Sequence, residues 1–377
     1  MDRRDLGNTS GEKAVDEMND FSCETRIVWG PGAVSALRDF GAKRVFLVTD
    51  PFFTKNGTAQ RILEAAGGET AEIFDGVKPD PSVSLAAEGT ARLKAFAPDL
   101  LVALGGGSAM DCAKAMAYFF QGTLPLAAIP TTSGSGSEVT DFAILTHEGV
   151  KHPLVDRRLR PSMAVLDSDL LESLPKSLIA DAGFDVLSHA LESYVAVNAG
   201  AFSDLLAREA FASAYAALPA SFAGQKTVRL KIHLASSMAG LSFTHAGLGL
   251  CHAISHSLGG LFHVPHGRLN AILLPPVIGC NAHAAQGKYA QLARAAGLGG
   301  SADQVAVRNL KNGLIRLRKE LELPQTLAEA GISPRVLWSK MPEIVTAALA
   351  DPCCKTNPMP PEEFLIRRIL EEASGRG

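Results

Sequence analysis

Nothing in this chain would draw it to a polyanion. Lys and Arg number 36 against 39 Asp and Glu, a formal net charge of −3. There is therefore no basic field to attract nucleic acid or an anionic membrane surface. No apolar run reaches the ~20 residues needed to span a bilayer, and the longest, such as Leu100–Leu104 and Leu124–Ile129, have the length of buried strands. Cysteine is scarce as well. The six present (Cys23, Cys112, Cys251, Cys280, Cys353, Cys354) form no CxxC pair and lack the density of a secreted scaffold. With no signal peptide ahead of them, reduced thiols in the cytoplasm are the expectation. Internal repeats and low-complexity tracts are absent too.

What is there is the composition of a soluble globular protein, 47% hydrophobic and 20% charged over 377 residues. That is long enough for two cores, since single cores stop growing near ~250–300 residues. Residues 1–20 are polar and charged with no apolar period, and read as a disordered tail in which Met18 could be the real start. A targeting or docking role is the alternative for this tail.

The two halves differ in kind. Arg44–Asp50, Leu100–Leu104 and Pro125–Pro130 read as strands, and Ala59–Ala66, Ser84–Ala95 and Ala109–Phe120 carry helical spacing between them. Doubly buried strands alternating with helices predict a parallel sheet of βαβ units. Beyond about Pro175 strand candidates nearly vanish. Helical spacing runs over Ala180–Val197, Ser203–Leu218, Val228–Phe243, Gly249–Leu261, Ala302–Leu321, Pro334–Leu349 and Glu362–Ala373. The expected organisation is an α/β nucleotide-binding domain over 21–177 and an all-α domain over 178–377.

Gly105-Gly106-Gly107-Ser108 follows a strand and opens a helix. Bare backbone there can approach a pyrophosphate at a helix N-terminus, although GGGS is not the GxGxxG fingerprint and could be a tight turn. Residues 130–140 (PTTSGSGSEVT) end another strand with hydroxyl and glycine residues suited to phosphate and ribose oxygens, a better reading than a flexible linker. Asp50 stands at a strand end, where a carboxylate can accept both ribose hydroxyls and repel a 2′-phosphate, favouring NAD. The other role open to it is a cap on the next helix, which Asp50-Pro51 also suits.

Ten histidines in the chain would put about 0.6 in a 22-residue window by chance, yet His245, His252, His256, His263 and His266 all fall between 245 and 266. Such density points to metal or proton chemistry rather than to core histidines. Asp185 and His189 lie four apart on a helical pattern and so share a face, as do His252 and His256, while His266 sits in a Pro-His-Gly turn. A carboxylate with several imidazoles suits Fe(II), Zn or another borderline divalent ion. Spacing alone does not say which of these histidines are ligands.

Together these motifs resemble the iron-containing (group III) alcohol dehydrogenases, over nearly the whole chain. The matching segments are TRIVWGPG (25–32), GGGSAMDCAK (105–114), PTTSGSGSEVT (130–140), KHPLV (151–155), GFDVLSHALESYV (183–195) and residues 246–275 from AGLGLCHAISH to NAILLP. The resemblance implies a Rossmann-like dinucleotide-binding domain followed by an all-α metal-binding domain, in a dehydroquinate synthase-like architecture. It implies Asp185, His189, His252 and His266 as metal ligands, and His256 as a neighbour that relays a proton or touches the nicotinamide. His263 is a less regular feature, on the surface or just behind the site. The pyrophosphate is placed on Gly106, Gly107 and Ser108, with further cofactor contacts from Thr131, Ser135, Thr140 and Lys151 and a ribose contact from Asp50.

The implied activity is NAD(H)-dependent interconversion of a small aldehyde and its alcohol, with Fe(II) polarising the carbonyl and Zn as the alternative ion. Phe142 and Phe243 are candidate pocket walls. Among such enzymes the chain looks most similar to the propanol and ethanol dehydrogenases of bacterial diol and ethanolamine catabolism. That likeness implies a cytoplasmic homodimer or larger homo-oligomer, with a bacterial microcompartment as the narrower expectation. A zinc polyol dehydrogenase of the glycerol type is the nearest rival. A dehydroquinate-synthase-like lyase is the more distant one, and should place several Lys and Arg about a phosphorylated substrate; 245–266 contains none.

Overall fold

Alternation along the strands sorts the first half into two faces. Val45, Leu47, Leu100, Val102, Leu104, Ile129 and Val165 pack on one side of a sheet, and Phe46, Val48, Leu101, Ala103 and Ala128 on the other. Successive side chains of extended backbone point to opposite faces, so strands apolar at every position need cover on both.

The computed structural model describes residues 20–120, 122–148 and 150–375; the expected tail, apart from Asp20, lies outside them. Strands β1 (Arg26–Trp29), β2 (Arg44–Val48), β3 (Thr70–Phe74), β4 (Leu100–Gly105), β5 (Leu126–Pro130) and β8 (Met163–Leu166) form a six-stranded sheet in the order β1-β8-β5-β4-β2-β3. Every pairing in it is parallel. Strands β6 (Phe142–His147) and β7 (Val150–Val155) make a separate antiparallel hairpin. One face is covered by α2 (Thr58–Ala66) and a 3-10 segment at Ala33–Phe40, through Leu37, Ala59 and Ile62. The other is covered by α3 (Val83–Phe96) and α4 (Gly107–Phe119), through Leu93, Met110 and Met116.

β2, β4 and β5 lie side by side and run the same way, so their C-terminal ends open onto one edge. The strand expected over Arg44–Asp50 stops at Val48, and Asp50 begins the short helix α1 (Pro51–Lys55) instead. β1, β3 and the hairpin escaped the sequence reading because their exposed and half-buried positions give no continuous apolar run.

The second half is helical throughout. It comprises α5 (Lys176–Val195), α6 (Ala201–Phe222), α7 (Arg229–Ala246), α8 (Leu250–Phe262), α9 (His266–Ala295), α10 (Asp303–Glu320), α11 (Pro334–Ala350) and α12 (Glu363–Ala373). Their apolar faces share one core running from Ile179 to Ala373. α5 is its axis: every residue from Gly183 to Val195 is buried, the mark of a helix enclosed on all sides. No helix among the described residues is long and apolar enough to cross a membrane.

α9 is the element that helical spacing did not announce. It carries Pro275 and Pro276 internally, which read as breakers in a sequence, and the structure adds a kink at the non-helical Ala285.

Candidate active site

Every group that the resemblance assigns to a metal comes from α5, α8 or the start of α9. Asp181, Asp185, His189 and Glu192 recur on α5 every three or four residues and share one face. His252 is on the first turn of α8. His266, expected in a turn, is in fact the first residue of α9, with Pro265 before it as the N-cap.

Gly267 explains why that helix can start there. A Cβ at this position would sit 1.9 Å from the Asp181 carbonyl oxygen, so the backbones of α9 and α5 meet where only glycine fits. One residue on, Arg268 grips the Asp181 carboxylate through Nε and Nη2, at 3.1 and 3.0 Å. This bidentate pair locks the crossing that aims His266 inward.

The ligand atoms of Asp185, His252 and His266 all lie within 4.8 Å of one another. Asp185 Oδ1 is 3.9 Å from the Nε2 atoms of both His189 and His252, and 3.6 Å from that of His266. His189 flanks the group with its ring stacked on His252, centroids 4.5 Å apart. Its far face meets Phe243 at 4.5 Å, and Phe142 follows at 5.5 Å, which puts both candidate pocket walls beside the site. Burial pushes the His252 and His266 imidazoles well below their usual range, so both present neutral lone pairs, the state in which imidazole binds metal.

Two residues that the sequence reading passed over complete this centre. Glu192 Oε2 lies 2.6 Å from His252 Nδ1, and its carboxylate also accepts the backbone N–H groups of Gly249, Cys251 and His252. Burial raises the Glu192 carboxyl to about 7, against the pull of those N–H groups. A carboxylate behind an imidazole fixes its tautomer and orientation. Asn270, one turn beyond His266, brings Nδ2 to 2.9 Å from Asp185 Oδ1, 3.3 Å from His252 Nε2 and 3.1 Å from His266 Nε2. Several electron-pair donors thus converge on one small region, and a divalent cation fits that donor set. Glu192 could have been found from its place three residues after His189 on the same face; Asn270 likewise sits four after His266.

His256 is also on α8, and its ring stacks on that of His266 with centroids 5.1 Å apart. Its Nδ1 faces Asp351 Oδ2 at 2.8 Å. Burial opposes ionisation of Asp351, but the hydrogen bond and charge of His256 hold it down at about 2. Asp351 lies 95 residues away in sequence, with no local signal to mark it. The remaining members of the histidine cluster go elsewhere. His245 sits against Phe21 and the Ser22 backbone, and His263 is the exposed left-handed cap of α8.

The expected nucleotide residues gather at the ends of β2, β4 and β5. Asp50 Oδ1 caps α1 by accepting the Phe52 N–H at 2.8 Å, while Oδ2 is turned toward Gly105, 3.8 Å from where a Cβ would stand. Gly106 and Gly107, at the start of α4 with Ser108, face the next loop: Thr132 Oγ1 is 3.4 Å from one Cβ position and Ser135 Oγ 3.3 Å from the other. Thr131, on the same loop, hydrogen-bonds through its N–H to the Gly105 carbonyl at 2.9 Å.

Two further expected contacts are otherwise engaged. Thr140 Oγ1 is held by the buried ammonium of Lys114, at 3.0 Å. Lys151 Nζ pairs with Asp80 at 2.6 Å on the hairpin.

The loop after β5 and helix α5 touch. A Cβ on Gly134 would be 3.1 Å from that of Ala182, one turn before Asp185 on α5. α7 closes the same junction: Ser133 Oγ bonds His233 Nδ1 at 2.9 Å, Glu138 accepts from Ser237, and Gly136 lies against Gly240. The arrangement sets the C-terminal ends of β2, β4 and β5 beside the side-chain cluster on α5, α8 and α9.

Similarity to known proteins runs through both halves of the chain. Residues 24–168 match the profile of the iron-containing alcohol dehydrogenases, and residues 179–374 that of the C-terminal part of the same family. A 1-propanol dehydrogenase, PduQ of Salmonella typhimurium, is 39% identical over 94% of this chain and 100% of its own length. An NADPH-dependent butanol dehydrogenase of Clostridium saccharobutylicum is 35% identical, covering 93% and 97%. The crystal structure of a 1,3-propanediol oxidoreductase superposes with a TM-score of 0.89 at 31% identity over 95% of this chain and all of that one. A sulfoacetaldehyde reductase from Bifidobacterium kashiwanohense, solved with NAD+, superposes with a TM-score of 0.86 at 26% identity, covering 96% and 100%. The chain belongs to the iron-containing alcohol dehydrogenase family and is an oxidoreductase acting on alcohols.

Proposed function

We propose that this enzyme interconverts short-chain aldehydes and alcohols with NAD(H) at an Fe(II) centre held by Asp185, His189, His252 and His266. The observation that carries the reading is the junction at Gly134 and Ala182, which brings the nucleotide loop onto the helix bearing Asp185 and His189. When bound, the ion supplies a Lewis acid for the carbonyl or alcohol oxygen, and the dinucleotide supplies or takes the hydride. Zn would also bind such a set, and more tightly on the Irving–Williams order.

The rest is the work of this chain's own groups. Glu192 holds His252 in the tautomer that presents Nε2, and Asn270 orients Asp185. Gly106, Gly107 and Ser108 offer N–H groups and the positive end of α4 to a pyrophosphate, with Thr131 and Ser135 closing over it. Asp50 takes the ribose hydroxyls and disfavours a 2′-phosphate. Cofactor contacts from Thr140 and Lys151 require their present partners, Lys114 and Asp80, to give way. His256, backed by Asp351, exchanges a proton with the substrate oxygen directly or through water.

Phe243 and Phe142 give the pocket an apolar wall suited to a short alkyl chain. The small substrate, the cytoplasmic setting and assembly as a homo-oligomer belong to this same reading. The test is an aldehyde panel with Fe(II)-loaded enzyme, run with NADH and NADPH in parallel. Turnover of propanal or acetaldehyde with NADH is expected. No turnover of any short aldehyde would refute the reading.

A further inference from the structure

Outside the four expected ligands a second set of donor atoms converges. A ring nitrogen of His256, a carboxylate oxygen of Asp351 and Cys353 Sγ lie within 4.8 Å of one another, and all three residues are half-buried. One imidazole nitrogen, one carboxylate oxygen and one sulfur make the mixed donor set of zinc and cobalt sites, and sulfur excludes a preference for magnesium or calcium.

The geometry is held from several sides. Asp351 and Cys353 flank Pro352, whose ring fixes the backbone of the turn between them. Asp351 Oδ1 accepts the Cys353 N–H at 2.8 Å, which leaves Oδ2 facing His256 Nδ1 at 2.8 Å. α11, which leads into this turn, is tied to α8 by Ser257 Oγ on the Ile344 carbonyl at 3.2 Å, and the end of the turn is tied to the segment just before α8 by Thr356 Oγ1 on the Leu248 carbonyl at 2.6 Å. The set is separate from the Asp185 centre, because the His256 nitrogen involved faces Asp351 and none of its members is an expected ligand there.

We propose that His256, Asp351 and Cys353 form a second site, weaker than the first, for a thiophilic divalent cation such as Zn2+. Three protein ligands leave at least one coordination position for water. Binding forms one bond each to nitrogen, oxygen and sulfur. The thiol proton leaves to solvent, the imidazole proton moves from Nδ1 to Nε2, and nothing is oxidised or reduced. An occupied site pins His256 as its Nε2–H tautomer, so that it no longer accepts a proton there and excess zinc inhibits alcohol oxidation. Only this last consequence rests on the proton role proposed for His256; the binding itself does not.

Co2+ is the probe. Holoenzyme carrying one ion per chain, titrated anaerobically with Co2+, is expected to take up one further equivalent and to develop a thiolate-to-cobalt charge-transfer band in the near ultraviolet. Cys353→Ser should abolish the band and weaken the second equivalent by at least about tenfold. Cys354→Ser should preserve both, since the Cys354 thiol is turned to the Ala348 carbonyl. Absence of a second equivalent in the wild type overturns the proposal, and so does a band that survives Cys353→Ser. Either result is read without turnover, and so is distinct from any failure of the aldehyde reduction.

Discussion

His252 Nδ1 lies 2.6 Å from Glu192 Oε2, and the same carboxylate gathers three backbone N–H groups from the start of α8. One side chain thus positions the imidazole proposed as a metal ligand and caps the helix that carries it. Glu192→Gln keeps the shape but cannot accept from every donor, and is expected to weaken metal affinity by about 10–100-fold. Glu192→Ala should in addition cost about 1–3 kcal/mol, because buried N–H groups lose their acceptor. Competition with a chelator measures the first effect and a denaturation midpoint the second. Metal affinity unchanged in both variants would refute the role.

Gly267 tests whether the α5–α9 crossing sets the site. A methyl group there would lie 1.9 Å from a backbone oxygen that cannot swing aside as a side chain could. Gly267→Ala is therefore expected to cost about 1–3 kcal/mol or more in stability and to move His266 out of reach of Asp185. Urea unfolding and metal content per chain report both. A fully metallated variant of wild-type stability would show that the helices separate freely.

Asp50 separates two roles that are both open to a carboxylate at a strand end. As a cap it accepts the Phe52 N–H; as a ribose partner it would repel the phosphate of NADP. Asp50→Gly should lower stability by only a few tenths of a kcal/mol, since glycine is itself a tolerated N-cap. It should also raise kcat/KM for NADPH at least about tenfold relative to NADH. The NADPH-dependent butanol dehydrogenase among the relatives makes this comparison pointed. A cofactor ratio unmoved by the substitution would leave Asp50 as a cap alone.

His233 predicts a pH dependence. It is fully buried at the junction of α7 and the nucleotide loop, and burial lowers its imidazole to about 4. The unfolded chain binds a proton near pH 6.5 that the folded chain refuses until about pH 4. Stability from the neutral form is complete above pH 6.5 and is lost as pH falls through that window, by about 3 kcal/mol. His233→Gln should flatten the slope of unfolding free energy between pH 6.5 and 4.5. An unchanged slope would place the acid sensitivity elsewhere.

What the sequence showed well was what periodicity and local spacing carry. β4 and β5 announce themselves as continuous apolar runs, and α5 shows Asp185 and His189 four residues apart. Contacts over long range were illegible: Asp351 behind His256, His233 on Ser133 and Lys114 under Thr140 each join segments that no pattern links. α9 was hidden by Pro275 and Pro276, which a long helix tolerates here inside a packed core. Which of the clustered histidines turn inward depended on the family resemblance, and the structure sends His245 and His263 to the surface or to Phe21.

The most direct test of the Fe(II) centre is metal add-back. Enzyme stripped of all divalent ions, given Fe(II) without oxygen and assayed for NADH oxidation with propanal, should regain activity in proportion to iron, up to one ion per chain. His252→Ala should regain almost none. Full activity in the stripped enzyme, or equal recovery with Zn2+, would contradict the assignment.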